Sequence, residues 1–143
     1  LERHRHLLSS NVIYTSGVRH LAEAGGAYWL IDAIASHLVY SEMAHAIAED
    51  DQLQHLQFWK LKVNEDQAAE LTCIADTDCP PAILQAIPWT DFPLPEVSVW
   101  VSFNGQHWTL FLPSEYYVVE TLAVSRSLGK RPFDTYHPID SSS

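Results

Sequence analysis

The chain has few cysteines, few glycines and little positive charge, and each scarcity excludes a class of protein. Two cysteines and five glycines occur among 143 residues. The spacing of Cys73 and Cys79 suits neither a zinc site nor a redox motif, which predicts reduced thiols in the cytoplasm. No glycine-rich phosphate loop and no nucleophile elbow occur. The apolar run at 24–41 contains Asp32, His37 and two glycines and lacks basic flanks, so we expect no membrane span.

Negative charge dominates the composition. Eighteen acidic residues outnumber eight lysines and arginines, for a formal net charge of -10. From His20 to Ser125 the only lysines or arginines are Lys60 and Lys62, against fifteen acidic residues. Such a surface repels phosphate backbones and attracts cations and basic proteins. We therefore expect no direct nucleic-acid binding and a basic protein as partner. An inhibitor that imitates nucleic acid is an alternative that the charge allows.

The hydrophobic pattern predicts one α+β domain at residues 1–125, followed by a tail at 126–143. Apolar residues make up 47% of the chain, enough for a core without disulfides or metal. Helical spacing and capping residues predict helices at residues 2–10, 17–40 and 41–54, and a short C-terminal helix from residue 112. Alternation predicts strands at residues 58–63, 69–76, 83–90, 97–103 and 106–112. This order predicts N-terminal helices packed on one face of a four- to five-stranded antiparallel meander.

The pair Asn104–Gly105 is the strongest turn signal in the chain, with alternating apolar residues on both sides. A two-residue loop at this pair places Phe103 opposite Gln106. Val101 then faces Trp108 across the hairpin. The sequence therefore predicts both the hairpin and its register.

Asp32 is the single charged residue in the run at 24–41, which we expect to lie in the core. A buried carboxylate needs a partner, a shifted pKa or a function. Together with Tyr28 and His37, Asp32 is therefore a candidate catalytic residue in a cleft. The alternative is a structural role, in which Asp32 accepts hydrogen bonds from a tyrosine hydroxyl, an indole or loop amides.

Four residues are candidate binding residues: Lys60, Lys62, Trp100 and His107. Strand alternation predicts that they share the sheet face away from the helices. An exposed tryptophan is costly without a partner, so an uncovered face would be a binding surface. A neighbouring subunit or a C-terminal helix could cover the face instead. The eight histidines show neither H-x3-H nor HExxH spacing, so we expect no metal site.

Four short motifs resemble a single bacterial family. They are YTSGVRHLAEAGGAYWLIDAIAS at 14–36, FWKLKV at 58–63, TDFPL at 90–94 and LPSEYY at 112–117. The motifs resemble a family known only as a domain of unknown function, associated with cyanobacteria and with plasmids or other mobile elements. The resemblance covers residues 1–117 and implies a small cytoplasmic bacterial protein. It implies no activity, cofactor or catalytic residue.

We expect this protein to act by binding rather than by catalysis, and we expect no cofactor. The leading hypothesis is a self-associating interaction or regulatory module of a bacterial mobile element, which turns its acidic surface toward a basic protein. The first alternative is a small enzyme or ligand-binding protein with a cleft near Asp32. The second alternative is the nucleic-acid mimic.

Overall fold

The computed structural model describes residues 3–5, 11–39 and 41–116, and the predicted class, α+β, is confirmed there. The described residues form three helices, α1 (Ser16–Gly25), α2 (Tyr28–Val39) and α3 (Ser41–Glu49), and two 3-10 turns, Asp51–Gln54 and Pro113–Glu115. Their strands are β1 (Arg3–Arg5), β2 (Val12–Thr15), β3 (Leu56–Val63), β4 (Ala69–Ile74), β5 (Ile83–Ile87), β6 (Glu96–Phe103) and β7 (Trp108–Phe111).

The described strands form one seven-stranded sheet in the order β1-β2-β7-β6-β3-β4-β5. Neighbouring strands are antiparallel except β2 and β7, which are parallel. The prediction of a four- to five-stranded antiparallel meander is therefore wrong in strand number, in this one pair and in strand order, because β6 pairs with β3 and not with β5. The predicted helix at 2–10 is wrong at residues 3–5, and its other residues lie outside the described part. Pairing with β2 supplies the backbone partners of β1, which local propensity cannot indicate.

The single helix predicted at 17–40 is instead two helices, because the chain breaks at Gly26. Gly26 adopts a left-handed conformation with a φ of 62°, and its N–H donates to the carbonyl of Ala22. Glycine adopts this conformation readily, so it commonly ends helices. Thr15 is the N-cap of α1, since its side chain accepts from the N–H of Val18.

The helices cover one face of the sheet. Helix α2 buries five apolar side chains, those of Leu30, Ile31, Ile34, Ala35 and Leu38. From the sheet, Trp59 and Leu61 are buried, whereas Lys60 and Lys62 are exposed, as the alternation predicts. We call the sheet face opposite the helices the far face.

Asp32 is exposed, so the prediction that it is buried is wrong. Helix α2 begins at Tyr28, and Tyr28, Asp32 and Ser36 follow one another at intervals of four residues. Residues at this spacing lie on the same face of a helix, so the three form one outward stripe. All three are exposed. The apolar run suggested a helix buried all round, but the break at Gly26 starts a new helix that is buried on one side.

The predicted hairpin is confirmed, but its register is shifted. Phe103 pairs with Trp108 and Val101 pairs with Leu110, so the central loop residues are Gly105 and Gln106. The side chain of Asn104 accepts hydrogen bonds from the N–H groups of Gln106 and His107, which builds this loop. Gly105 has a φ of 93°, which suits the first central position of a type II′ turn. A shift of two residues in the pairing leaves the side chains of the paired residues in β6 and β7 on their predicted faces.

The carboxylate of Glu115 joins the end of the described chain to the start of α1. It accepts from the hydroxyl of Thr15 at 2.8 Å and from the N–H of Leu112 at 2.8 Å. A Cβ at Gly17 would lie within 3.0 Å of the same carboxylate. Of the short helix predicted from residue 112, the described part contains the 3-10 turn Pro113–Glu115, and residues after 116 lie outside it.

Replacing Gly25 with alanine is expected to destabilise the fold by about 1–3 kcal/mol. A Cβ at Gly25 would lie 2.7 Å from Cε1 of Phe92, a ring that is itself buried. Helix propensity alone predicts the opposite sign, since alanine is favoured over glycine by about 1 kcal/mol. Urea denaturation measures the free energy of unfolding. The cost should shrink when Gly25→Ala is combined with Phe92→Leu, and an equal cost in both backgrounds would contradict the ring contact as its cause.

Candidate functional site

A groove lies between α3 with the following 3-10 turn and the connection from β4 to β5. Its volume is about 420 Å³. Its lining consists of Glu42, His45, Ala46, Glu49, Asp50, Leu53, Ala75, Cys79, Pro80, Pro81 and Ala82. We call it the acidic groove.

The acidic groove has an apolar floor and a charged rim. Leu53 and Ala75 are buried, whereas Glu49 on the rim is exposed. Pro80 and Pro81 are exposed on the opposite side. Proline fixes φ and lacks an N–H donor, so this side of the groove is stiff and offers no backbone donor from either residue. The groove therefore combines an apolar surface with acceptor oxygens.

No positive side chain of lysine or arginine belongs to the segments that form the groove. Residues 41–54 and 75–82 together contain six acidic residues, Glu42, Glu49, Asp50, Asp51, Asp76 and Asp78. Lysine and arginine are absent from both segments. A cleft lined by charges of one sign concentrates ions of the opposite sign. The groove therefore presents a negatively charged rim.

The buried amide of Gln57 holds the groove's helical wall against the sheet. Gln57 is 0% exposed, and its Nε2 donates to the carbonyl of Leu53 at 2.9 Å. Its Oε1 accepts from Nε1 of Trp59 at 2.8 Å and from the thiol of Cys73 at 3.8 Å. Nε2 also contacts Sδ of Met43 in α3 at 3.4 Å. One side chain of β3 thus fixes α3 and the 3-10 turn at the same time.

His37 lies beside the groove and links α2 to its rim. Its Nδ1 contacts a carboxylate oxygen of Glu42, and its Nε2 lies 2.8 Å from Oε1 of Gln85. Its ring packs on Trp59 with centroids 5.6 Å apart. Both ring nitrogens therefore have oxygen partners, and these contacts position the carboxylate of Glu42.

The structure places Tyr28 in a different cluster from His37. The hydroxyl of Tyr28 donates to Glu23 at 3.0 Å, and Nε of Arg19 donates to the same oxygen at 2.9 Å. These hydrogen bonds, first that of Tyr28 and then that of Arg19, lower the pKa of Glu23. Asp32 shares the outward stripe of α2 with Tyr28 and does not line the acidic groove. The candidate catalytic roles of all three stay predictions.

Three of the predicted binding residues share the far face. The pairing of β3 with β6 places Lys60, Lys62 and Trp100 there, and Nζ of Lys60 lies 3.6 Å from Glu96. A far-face groove of about 560 Å³ is lined by Lys60 and Trp100 among others. His107 lies in the hairpin loop and is half-buried. The binding role of these four residues stays a prediction.

The two thiols have different environments. Cys79 lines the acidic groove and is half-buried. Cys73 is 0% exposed in the sheet, and burial raises the pKa of its thiol to about 12. Cys73 is buried and its thiol resists ionisation to the reactive thiolate, so it is protected from thiol reagents. Cys79 is half-buried, so reagents can reach its thiol.

The described residues form neither a metal-binding cluster nor a membrane-spanning helix. No group of three or more histidine, cysteine or acidic side chains within them could hold a metal ion. None of the helices in that part of the chain is long and apolar enough to cross a membrane.

The acidic groove itself was not predicted. Its charged rim is visible in the sequence as Glu49–Asp50–Asp51, and its opposite side as the loop Cys79–Pro80–Pro81. More than twenty residues separate the two segments. Only the packing of α3 beside the β4–β5 connection brings the two segments together. The one feature of the sequence that they share is the absence of lysine and arginine.

Replacing Gln57 with leucine is expected to destabilise the fold by about 2–5 kcal/mol. Leucine fills a similar volume but leaves the indole N–H of Trp59 and the carbonyl of Leu53 buried without their partner. Urea denaturation gives the free energy of unfolding. Gln52→Leu is the control, since Gln52 is exposed and near in sequence. Equal and small effects of both substitutions would contradict the anchoring role.

The buried thiol of Cys73 predicts a loss of stability at alkaline pH. The unfolded thiol ionises near 9, whereas the folded thiol stays protonated up to about 12. The stabilisation is therefore complete below pH 9 and is lost as the pH rises toward 12. Between about pH 8.5 and pH 10.5 the wild type should lose about 2 kcal/mol more than Cys73→Ala does, measured by urea denaturation. A Cys79→Ala variant should follow the wild type, and parallel curves for Cys73→Ala and wild type would refute the prediction.

Comparison with known proteins identifies a family and no relative of known activity. No curated protein and no solved structure matches the chain. The family of unknown function DUF6876 matches residues 1–116. This range includes α1–α3 and all seven strands, and the match confirms the resemblance to an uncharacterised family. The chain belongs to the family of unknown function DUF6876.

Proposed function

We propose that this domain is a protein-interaction module whose acidic groove binds a lysine- or arginine-bearing segment of another protein. One observation carries the proposal. A cleft of about 420 Å³ that combines polar and apolar surface is bordered by Glu42, Glu49 and Asp50, in segments without any lysine or arginine. Its size lies within the range typical of ligand sites.

The chemistry of lysine and arginine fits both parts of the groove. Their alkyl stems can lie on the apolar floor formed by Leu53 and Ala75, while their charged ends reach the rim. Charge-assisted hydrogen bonds to carboxylates are stronger than neutral ones. The contact between Glu42 and His37 orients one carboxylate before a partner arrives. Binding then costs less side-chain ordering at this position.

The groove's other polar side chains support binding rather than catalysis. In the described part of the chain, neither Cys79 nor His45 shares a side-chain hydrogen bond with a base or nucleophile. Nucleophilic catalysis requires such a pair. The alternative with a cleft near Asp32 rested on a buried carboxylate, and Asp32 is exposed. The nucleic-acid mimic stays a prediction.

The cellular setting belongs to the proposal as well. A cytoplasmic bacterial protein of a mobile element is what the motif resemblance implies. A domain that ends near residue 125 is what the hydrophobic pattern predicts. Long-range attraction between the acidic body and a basic partner would speed their association at low salt.

The acidic groove can be tested with a defined basic probe. A fluorescent peptide of alternating lysine and leucine should bind, measured by anisotropy, and should protect Cys79 from a thiol reagent. Glu49→Gln/Asp50→Asn should weaken binding about tenfold or more, as two lost charge-assisted contacts imply. Asparagine retains the oxygen with which Asp50 accepts from the N–H of Gln52. Affinity should also fall as salt rises.

The control variant makes the same change in net charge at positions outside the groove. Glu65→Gln/Glu70→Gln removes two exposed carboxylates outside the groove and should bind the peptide like the wild type. Ala82→Trp, which fills the groove without changing its charge, should abolish binding and Cys79 protection. Equal weakening by both double variants, or undiminished binding by Ala82→Trp, would show that the peptide follows overall charge and would overturn the proposal.

A further inference from the structure

We propose that the outer edge of β5 pairs with the same edge of a second copy of this chain. The pairing is antiparallel around Gln85 and joins two sheets into one. Strand β5 lies at the end of the sheet order, and among the described residues no strand pairs with its outer edge. This surface adjoins the acidic groove at Pro81 and Ala82, which precede β5 and line the groove.

Strand β5 itself contains no charge, proline or bulge, and prolines occur only on either side of it, at Pro81 and Pro88. Natural edges carry charges, prolines or bulges, or are very short. The strand reads Ile-Leu-Gln-Ala-Ile, and its five residues pair with β4 without interruption. No charged residue occurs from Cys79 to Thr90. The strand at the opposite end of the described sheet, β1, is only three residues long.

The strand is complementary to itself. Ile83 and Ile87 lie two residues on either side of Gln85, so a two-fold axis there places Ile83 opposite the partner's Ile87. Ile83 is buried and Ile87 half-buried on the helix side, so the apolar layer would continue across the junction. On the far face, Leu84, which is 58% exposed, would lie opposite the partner's Ala86.

An exposed tryptophan lies at the end of this edge. Trp89 is 64% exposed, and its neighbour Thr90 is buried, with its N–H donating to the carbonyl of Gln67 at 2.8 Å. This anchor holds the backbone beside Trp89 in place. Continuing the same register places Trp89 opposite the partner's Pro81, and Pro81 is also exposed. A tryptophan that becomes buried at an interface is a common source of binding energy.

Charge favours a second copy as the occupant of this edge. Two chains of net charge -10 repel each other, so they can associate closely only through a neutral surface. A basic partner would find no opposite charge along β5, whereas an identical strand supplies matching apolar residues. The interface is small, so we expect a dissociation constant in the micromolar range. Salt screens the repulsion and should strengthen the dimer, whereas salt should weaken binding in the acidic groove.

Analytical ultracentrifugation of the full chain tests the proposal. Protein from about 1 μM to 1 mM should convert from monomer to dimer, and the conversion should shift to lower concentration at higher salt. Leu84→Lys places a charge on the edge and should weaken dimerisation tenfold or more. Val39→Lys makes the same charge change at a side chain 48% exposed on α2, and it should dimerise like the wild type.

Trp89→Ala provides a second variant that leaves the strand unchanged. It should weaken the dimer several-fold, and circular dichroism verifies that each variant is folded. A wild type that stays monomeric at about 1 mM and high salt would overturn the proposal. Self-association of Leu84→Lys equal to that of Val39→Lys would overturn it too. Salt is expected to strengthen the dimer and to weaken peptide binding in the acidic groove. Failure of the dimer proposal can therefore be told apart from failure of the groove proposal.

Discussion

The position of α3 and the following 3-10 turn on the sheet depends on the hydrogen bonds of the Gln57 side-chain amide. A fully buried amide must find partners, and Gln57 finds them in the 3-10 turn, in α3 and within the sheet. The apolar layer between helices and sheet stabilises the fold without fixing the position of α3 closely, because hydrophobic burial is non-directional. The directional contacts of Gln57 supply that position, and the acidic groove is the space that results.

The two proposed surfaces differ in the force that each one uses. The acidic groove attracts a partner through unbalanced negative charge, whereas the edge of β5 depends on the absence of charge. Pro81 borders both surfaces, so a dimer through β5 would bring two acidic grooves near each other. Such a dimer would present two binding sites on one assembly. Two linked sites bind a partner with repeated basic segments more tightly than either site alone.

Much of the fold could be predicted from the sequence, and the failures have physical causes. Alternation placed Trp59 inside and Lys60 outside, because adjacent side chains of a strand point to opposite faces. The burial of Asp32 was predicted wrongly, because a run of apolar residues does not reveal where one helix ends and the next begins. The acidic groove was not predicted, because its two sides lie more than twenty residues apart in the chain.

By itself, the sequence determined what depends on neighbouring residues: the strands β3–β7, the faces of β3 and the excess of negative charge. Only the tertiary structure decided what depends on distant segments meeting. These features are the parallel pairing of β2 with β7, the contact of Glu115 with Thr15, the outward position of Asp32 and the place of β5 at the end of the described sheet. The reason is that periodicity and capping act over a few residues, whereas a sheet's order and edges are set by pairing between strands far apart in the chain.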